Sequence, residues 1–176
     1  MPNGTLNNYM NRNRDVSLHQ RALWVSDVLE AVNVLHCREI YHPDIRPSNF
    51  VVDPDLRLCL INFTGASIDG KPPAFMERPG FFLGRDVERE GSNTASDLFA
   101  VGSTIYQIMT GMPPYGGRDD DEIDLTFAKG EHPLLEGITF KEVISCCWRT
   151  RYTWTRQAVV DVEKEVRRVF GGHGSS

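Results

Sequence analysis

The sequence lacks paired cysteine motifs, clustered basic residues and any long apolar run, and each absence closes off a class of protein. Its four cysteines, Cys37, Cys59, Cys146 and Cys147, include no Cys-x-x-Cys spacing that would let two thiolates converge on one zinc ion. Free thiols suit a reducing compartment, so a cytoplasmic location is expected, with the nucleus also open. No apolar stretch approaches the roughly 20 residues a membrane-spanning helix needs, and Met1-Pro2-Asn3-Gly4-Thr5 has no basic stretch leading into an apolar one. Neither a membrane partner nor a signal peptide is therefore expected. Lys and Arg number 19 against 24 Asp and Glu, a formal net charge of −5, so there is no basic face to follow a phosphate backbone and no nucleic-acid partner is expected. The acidic run Asp119-Asp120-Asp121-Glu122 reads as a solvated helix start. A Gly-x-Ser-x-Gly elbow is also missing, which argues against a Ser/His/Asp hydrolase.

What is present is enough for one compact domain: 176 residues, 40% of them hydrophobic. Between Leu18 and Leu35 the apolar residues Leu18, Ala22, Val25, Val28, Leu29, Val32 and Leu35 recur every three or four positions, with Arg21, Asp27, Glu30 and Asn33 between them. That spacing predicts an amphipathic helix with one buried face. Three short strands are predicted around Ile40-Tyr41, Phe50-Val51-Val52 and Leu58 to Ile61, the last two joined by the turn chemistry of Asp53-Pro54-Asp55. Residues 68–90 are broken by proline and glycine and have no sustained period, as in a long irregular segment. After the capping residues Ser92-Asn93-Thr94, an apolar run through Leu98, Val101, Ile105, Ile108 and Met109 predicts a central buried helix ending at Gly111, before Pro113-Pro114. Weaker helical patterns follow at 121–128, 139–147 and 155–169. The predicted fold is mainly α with a small β-hairpin, over residues 1–170, and 171–176 form a disordered tail without an apolar anchor.

The chemistry is concentrated in His42-Pro43-Asp44-Ile45-Arg46-Pro47-Ser48-Asn49 and, after the hairpin, Ile61-Asn62-Phe63-Thr64-Gly65. This arrangement resembles the protein-kinase catalytic loop His-Arg-Asp-Leu-Lys-Pro-x-Asn followed by Asp-Phe-Gly. A second match is independent of it: Ser96-Asp97-Leu98-Phe99-Ala100-Val101-Gly102 through Thr110-Gly111-Met112-Pro113-Pro114-Tyr115 is similar to the family's central helix and its exit. The resemblance, to the carboxy-terminal helical lobe, spans nearly the whole chain. It implies ATP and magnesium as cofactors and a protein substrate or protein partner. It also implies that Asp44 is the catalytic base, that Arg46 stands for a phosphate-contacting Lys, and that Asn49 and Asn62 occupy the cofactor- and metal-binding positions. Arg46-Pro47 at the Lys-Pro position points to the serine/threonine class. Asp97 would be buried and hold the backbone of the loop around His42 to Arg46.

The departures from the family pattern carry as much weight. No Gly-x-Gly-x-x-Gly loop or Val-Ala-Ile-Lys strand precedes the long helix, so the amino-terminal lobe that grips ATP phosphates is expected to be missing from this chain. Asn62 stands where the magnesium-binding Asp would be, Pro43 replaces an activation-linked Arg, and Thr64 replaces a glycine. Leu83-Gly84-Arg85-Asp86 lies where the family has Ala-Pro-Glu, with Asp86 a candidate to meet Arg151. The resulting expectation is a kinase-type lobe that is inactive or impaired in phosphoryl transfer and acts as a binding lobe, with apolar surface exposed along the hairpin from Phe50 to Ile61. The alternative is a piece of an active kinase. A small-molecule phosphotransferase of the aminoglycoside or choline kinase kind shares the loop but predicts no Ser-Asp-Leu-Phe-Ala-Val-Gly helix.

Overall fold

The protein is described by a computed structural model covering residues 3–68, 77–85, 89 and 91–171. Among these residues are six α-helices and two small antiparallel sheets. Thr5 caps the short helix α1 (Leu6–Arg12) by accepting the Asn8 N–H at 3.3 Å, and Ser17 caps α2 (Leu18–His36) by accepting from Gln20 at 3.1 Å. The predicted stripe of α2 is its buried face: Ala22, Val25, Val28, Leu29 and Val32 are all buried.

Strand β1 (Ile40–Tyr41) pairs with β4 (Ser67–Ile68), while β2 (Phe50–Val52) and β3 (Leu58–Leu60) form the predicted hairpin, with Phe50 opposite Leu60 and Val52 opposite Leu58. The Asp53 side chain closes its turn by accepting from the backbone N–H groups of Asp55 and Arg57 at 2.9 and 2.8 Å. Helix α3 (Thr94–Thr110) starts in a capping box between Asn93 and Ser96 and stops where Gly111 turns left-handed at φ 82°. Every residue from Ser96 to Ile105 is buried, which makes α3 the axis of the core. Helices α4 (Asp120–Ala128), α5 (Lys141–Trp148) and α6 (Thr155–Phe170) complete the fold. α3 packs closely on α5 and also on α2, and α6 packs on α2 and α5. All four cysteines are free thiols.

Several sequence expectations need correction or restriction. Helix α1 and strand β4 were not predicted, because each is too short to show a period. α1 has one large consequence. It lies over β2, with Thr5 bridged to Val51 and Leu6 and Met10 buried, so Phe50, Val51 and Val52 are buried rather than exposed as apolar rim. Asp27, expected on the polar face of α2, is also buried. Its carboxylate accepts the Leu58 N–H at 2.9 Å and a fork from Arg57, which ties the hairpin to the helix. The expected Asp86–Arg151 contact and the tail beyond Gly171 lie outside the described residues.

Candidate functional site

The site is a cradle of backbone built by α2, α3 and the hairpin. After α2 ends, β1 leads into the loop at His42, and a single turn of 3₁₀ helix (Pro47–Asn49) returns the chain to β2. Asp97, fully buried in the first turn of α3, holds this loop from below: its Oδ2 accepts the His42 N–H at 2.9 Å. The same oxygen faces His36 Nε2 at 2.9 Å, and the other nitrogen of that ring, Nδ1, lies against Thr155 Oγ1 at the start of α6. Burial pushes the Asp97 carboxyl above the usual carboxylate range, while the bonds from His36 and His42 act in the opposite direction. Thr104, about two turns further along the same face of α3, donates to the Ile45 carbonyl at 3.3 Å. The expectation for Asp97 holds in its placement. The role of His36, in the last turn of α2, was missed, since a helix-ending histidine gives no sign of what it will face.

His42 is buried and acts as a bracket. Its Nδ1 accepts the Asp44 N–H at 3.1 Å, which places the ring proton on Nε2, facing the Ile61 carbonyl at 3.4 Å. One ring thereby joins the loop to the strand that delivers Asn62, and Phe63 packs edge-on against it at 5.5 Å.

The four candidate residues meet on this bracket. Asp44 Oδ1 accepts from Arg46 Nε at 2.7 Å, and Asp44 Oδ2 accepts from Asn49 Nδ2 at 2.7 Å, so both carboxylate oxygens are aimed by neighbours. Asn49 Nδ2 also donates to the Asp44 carbonyl at 2.7 Å, and its Oδ1 accepts from Asn62 Nδ2 at 3.3 Å. Asn62 is exposed and sits at φ 64°, a left-handed conformation that asparagine tolerates better than most residues. The arrangement gives one carboxylate a solvent-facing edge, with Asp44 side-chain exposure of 23% against 24% for its partner Arg46.

These donors fit magnesium poorly. The ion prefers charged oxygen ligands in a near-octahedral set, yet here one carboxylate is matched by a guanidinium and two neutral amides are hydrogen-bonded to one another. Among the described residues no group of three or more His, Cys, Asp or Glu could hold a metal ion.

At the Ala-Pro-Glu position the structure places a cation in the core. The Arg85 side chain is buried, with Nη2 on Glu77 Oε1 at 2.7 Å and Nε on the Gly91 carbonyl at 2.6 Å, whereas Arg151 is exposed.

Comparison with known proteins gives the family. The profile described as "Protein kinase domain" matches residues 1–153. The chain therefore belongs to the protein kinase family. "Serine/threonine-protein kinase PDK1" of Cryptococcus neoformans is 27% identical over 137 residues, covering 72% of this chain and 11% of that protein. "Serine/threonine-protein kinase PKH3" of Eremothecium gossypii is 25% identical over 160 residues, 81% of this chain and 22% of the relative. "cAMP-dependent protein kinase, catalytic subunit-like" of Caenorhabditis elegans is 24% identical over 124 residues, 70% of this chain and 31% of the relative. The chain thus spans less than a third of the length of each of these relatives.

Proposed function

We propose that this chain is the carboxy-terminal lobe of a serine/threonine-type protein kinase domain whose metal position has been neutralised, and that it serves as a protein-binding lobe with phosphoryl transfer from ATP impaired or absent. The observation that carries this reading is the Asn49–Asn62 amide contact at 3.3 Å, at the place where the family resemblance puts a magnesium-binding carboxylate. Phosphoryl transfer depends almost wholly on positioning and on neutralising charge between the phosphates. Magnesium and ATP, when held by such a domain, supply the charge neutralisation and the phosphoryl group. In this chain Asp44 would orient an attacking hydroxyl through its free edge, Arg46 would face phosphate, and Asn49 and Asn62 would offer amide oxygens only. Loss of one metal carboxylate corresponds to about a hundredfold in rate.

A second reading is that the chain is a piece of an active kinase, and the intact Asp44–Arg46–Asn49 pairing favours it. Incubation of the 176-residue protein with radiolabelled ATP, magnesium and a generic protein acceptor tests the choice. We expect no transfer above background. Transfer that is abolished by Asp44→Ala would contradict the impaired-lobe reading and favour the second.

A further inference from the structure

The seam between α5 and α6, whose lining includes none of Asp44, Arg46, Asn49 and Asn62, forms a groove that the fold leaves open. The helices run antiparallel, so the start of α5 (Phe140, Lys141) lies beside the end of α6 (Arg168), and the end of α5 beside its beginning. Two adjoining cavities of about 600 Å³ each lie along the seam and share Cys146, Tyr152, Asp161 and Lys164 in their walls. The stretch of α6 from Arg156 to Arg168 spans roughly 18 Å, the length of about five residues of extended chain.

Charge and aromatic content are uneven along this groove. Towards the start of α5, Lys164 is paired with Asp161 at 2.8 Å and Arg168 with Glu165 at 2.6 Å. Towards the start of α6 lie Arg151 and Arg156, whose side chains are exposed and make no hydrogen bond or ion pair among the described residues. The first turn of α6 carries no acid that could compensate them. Between these two arginines, Trp154 is 71% exposed, although tryptophan is a residue type that normally buries most of its surface. The buried Tyr152 donates its hydroxyl proton to Asp161 Oδ2 at 3.1 Å, so its ring is fixed as a wall. In a chain of net charge −5, two guanidinia without an ion pair among the described residues thus lie beside an exposed indole. Arg and Trp are the side chains that dominate binding hot spots.

We propose that this seam is a docking groove for an acidic, extended peptide segment of a partner protein, with Arg151 and Arg156 pairing its carboxylates and one apolar side chain seated between Trp154 and Tyr152. Charge complementarity selects this occupant: the cations match a carboxylate-bearing chain, and the apolar walls match a single hydrophobic anchor. A nucleic acid would need a longer run of cations than this rim offers. The family profile ends at residue 153, so Trp154 and α6 fall outside the matched region, and docking here does not depend on whether Asp44 supports phosphoryl transfer.

The test is fluorescence anisotropy on the full 176-residue protein. The probes are a fluorescein-labelled pool of six-residue peptides with Asp or Glu around one central Phe or Leu, the same pool with Lys in place of the acids, and a short single-stranded oligonucleotide. The acidic pool should saturate, Arg151→Glu combined with Arg156→Glu should weaken it at least ~10-fold, and Trp154→Ala about fivefold. Unchanged melting temperatures show that the variants fold, and Arg151→Gln with Arg156→Gln replaces the reversal if it does not. Absence of saturation by the acidic pool overturns the proposal, as does equal binding by the reversed variant. Preference for the lysine pool or the oligonucleotide overturns it too, and so does self-association that Trp154→Ala abolishes.

Discussion

The site depends on a few buried polar atoms, and Asp97 is the most exacting of them. Its carboxylate closes the only described hydrogen bond of the His42 N–H and meets His36 from α2. Removing it leaves a buried donor unpaired, so Asp97→Ala should lower stability by roughly 2 to 4 kcal/mol, read as the midpoint of chemical denaturation. Asp97→Asn keeps an acceptor for His42 and should cost less. Burial raises the Asp97 pKa, so the additional stability tied to that shift is complete below the unfolded carboxylate range, near pH 4, and is lost as pH rises through the folded value, while an acceptor for the His42 N–H remains in either protonation state. The gap between wild type and Asp97→Asn should accordingly narrow as pH rises, and equal midpoints for Asp97→Ala and wild type would contradict this placement. Asp44, Arg46, Asn49 and Asn62 were all legible as a cluster, because their order along two loops is a pattern in the sequence itself. His36 and Asp27 were not. Their burial is decided by what another element brings to them, Asp97 for one and Arg57 with the Leu58 N–H for the other.

Helix periodicity made most elements readable. α2 and α3 carry long apolar stripes, and both lie within a residue or two of the predicted bounds. α1 was missed because Leu6 and Met10 make one apolar pair within seven residues, too few to distinguish from a loop; only the packing against β2 shows what they do. β4 is two residues long, and its existence follows from β1 needing a partner. A close helix crossing lies at Gly102 of α3. A Cβ there would lie 2.7 Å from Cys147 Cβ and 3.2 Å from the Trp148 ring, both on α5. Alanine has the better helix propensity by about 0.5 to 1 kcal/mol, yet the overlap with buried atoms should exceed that gain. We expect Gly102→Ala to destabilise the protein by about 1 to 3 kcal/mol in a denaturation series. A neutral or stabilising effect would mean that α3 and α5 are further apart than described.

At the scale of the molecule, the protein is a helical member of the kinase family in which a hydrogen-bonded loop meets Asn62, where the family resemblance implies a metal-binding carboxylate. The loop geometry was legible because it is encoded locally. The hydrogen bond between two amides was not, since it depends on where the hairpin delivers Asn62 relative to Asn49. This contact also makes the central claim testable without any phosphoryl transfer. Titration of magnesium into the 176-residue protein, followed by calorimetry or by competition with manganese, measures the site directly. We expect only weak, unsaturated binding in the wild type, at least ~10-fold tighter binding in Asn62→Asp, where a second carboxylate faces the ion, and no change from wild type in Asn62→Ala. Wild-type affinity equal to that of Asn62→Asp, and lost in Asn62→Ala, would show that the amide is a competent metal ligand and would contradict the impaired-site reading.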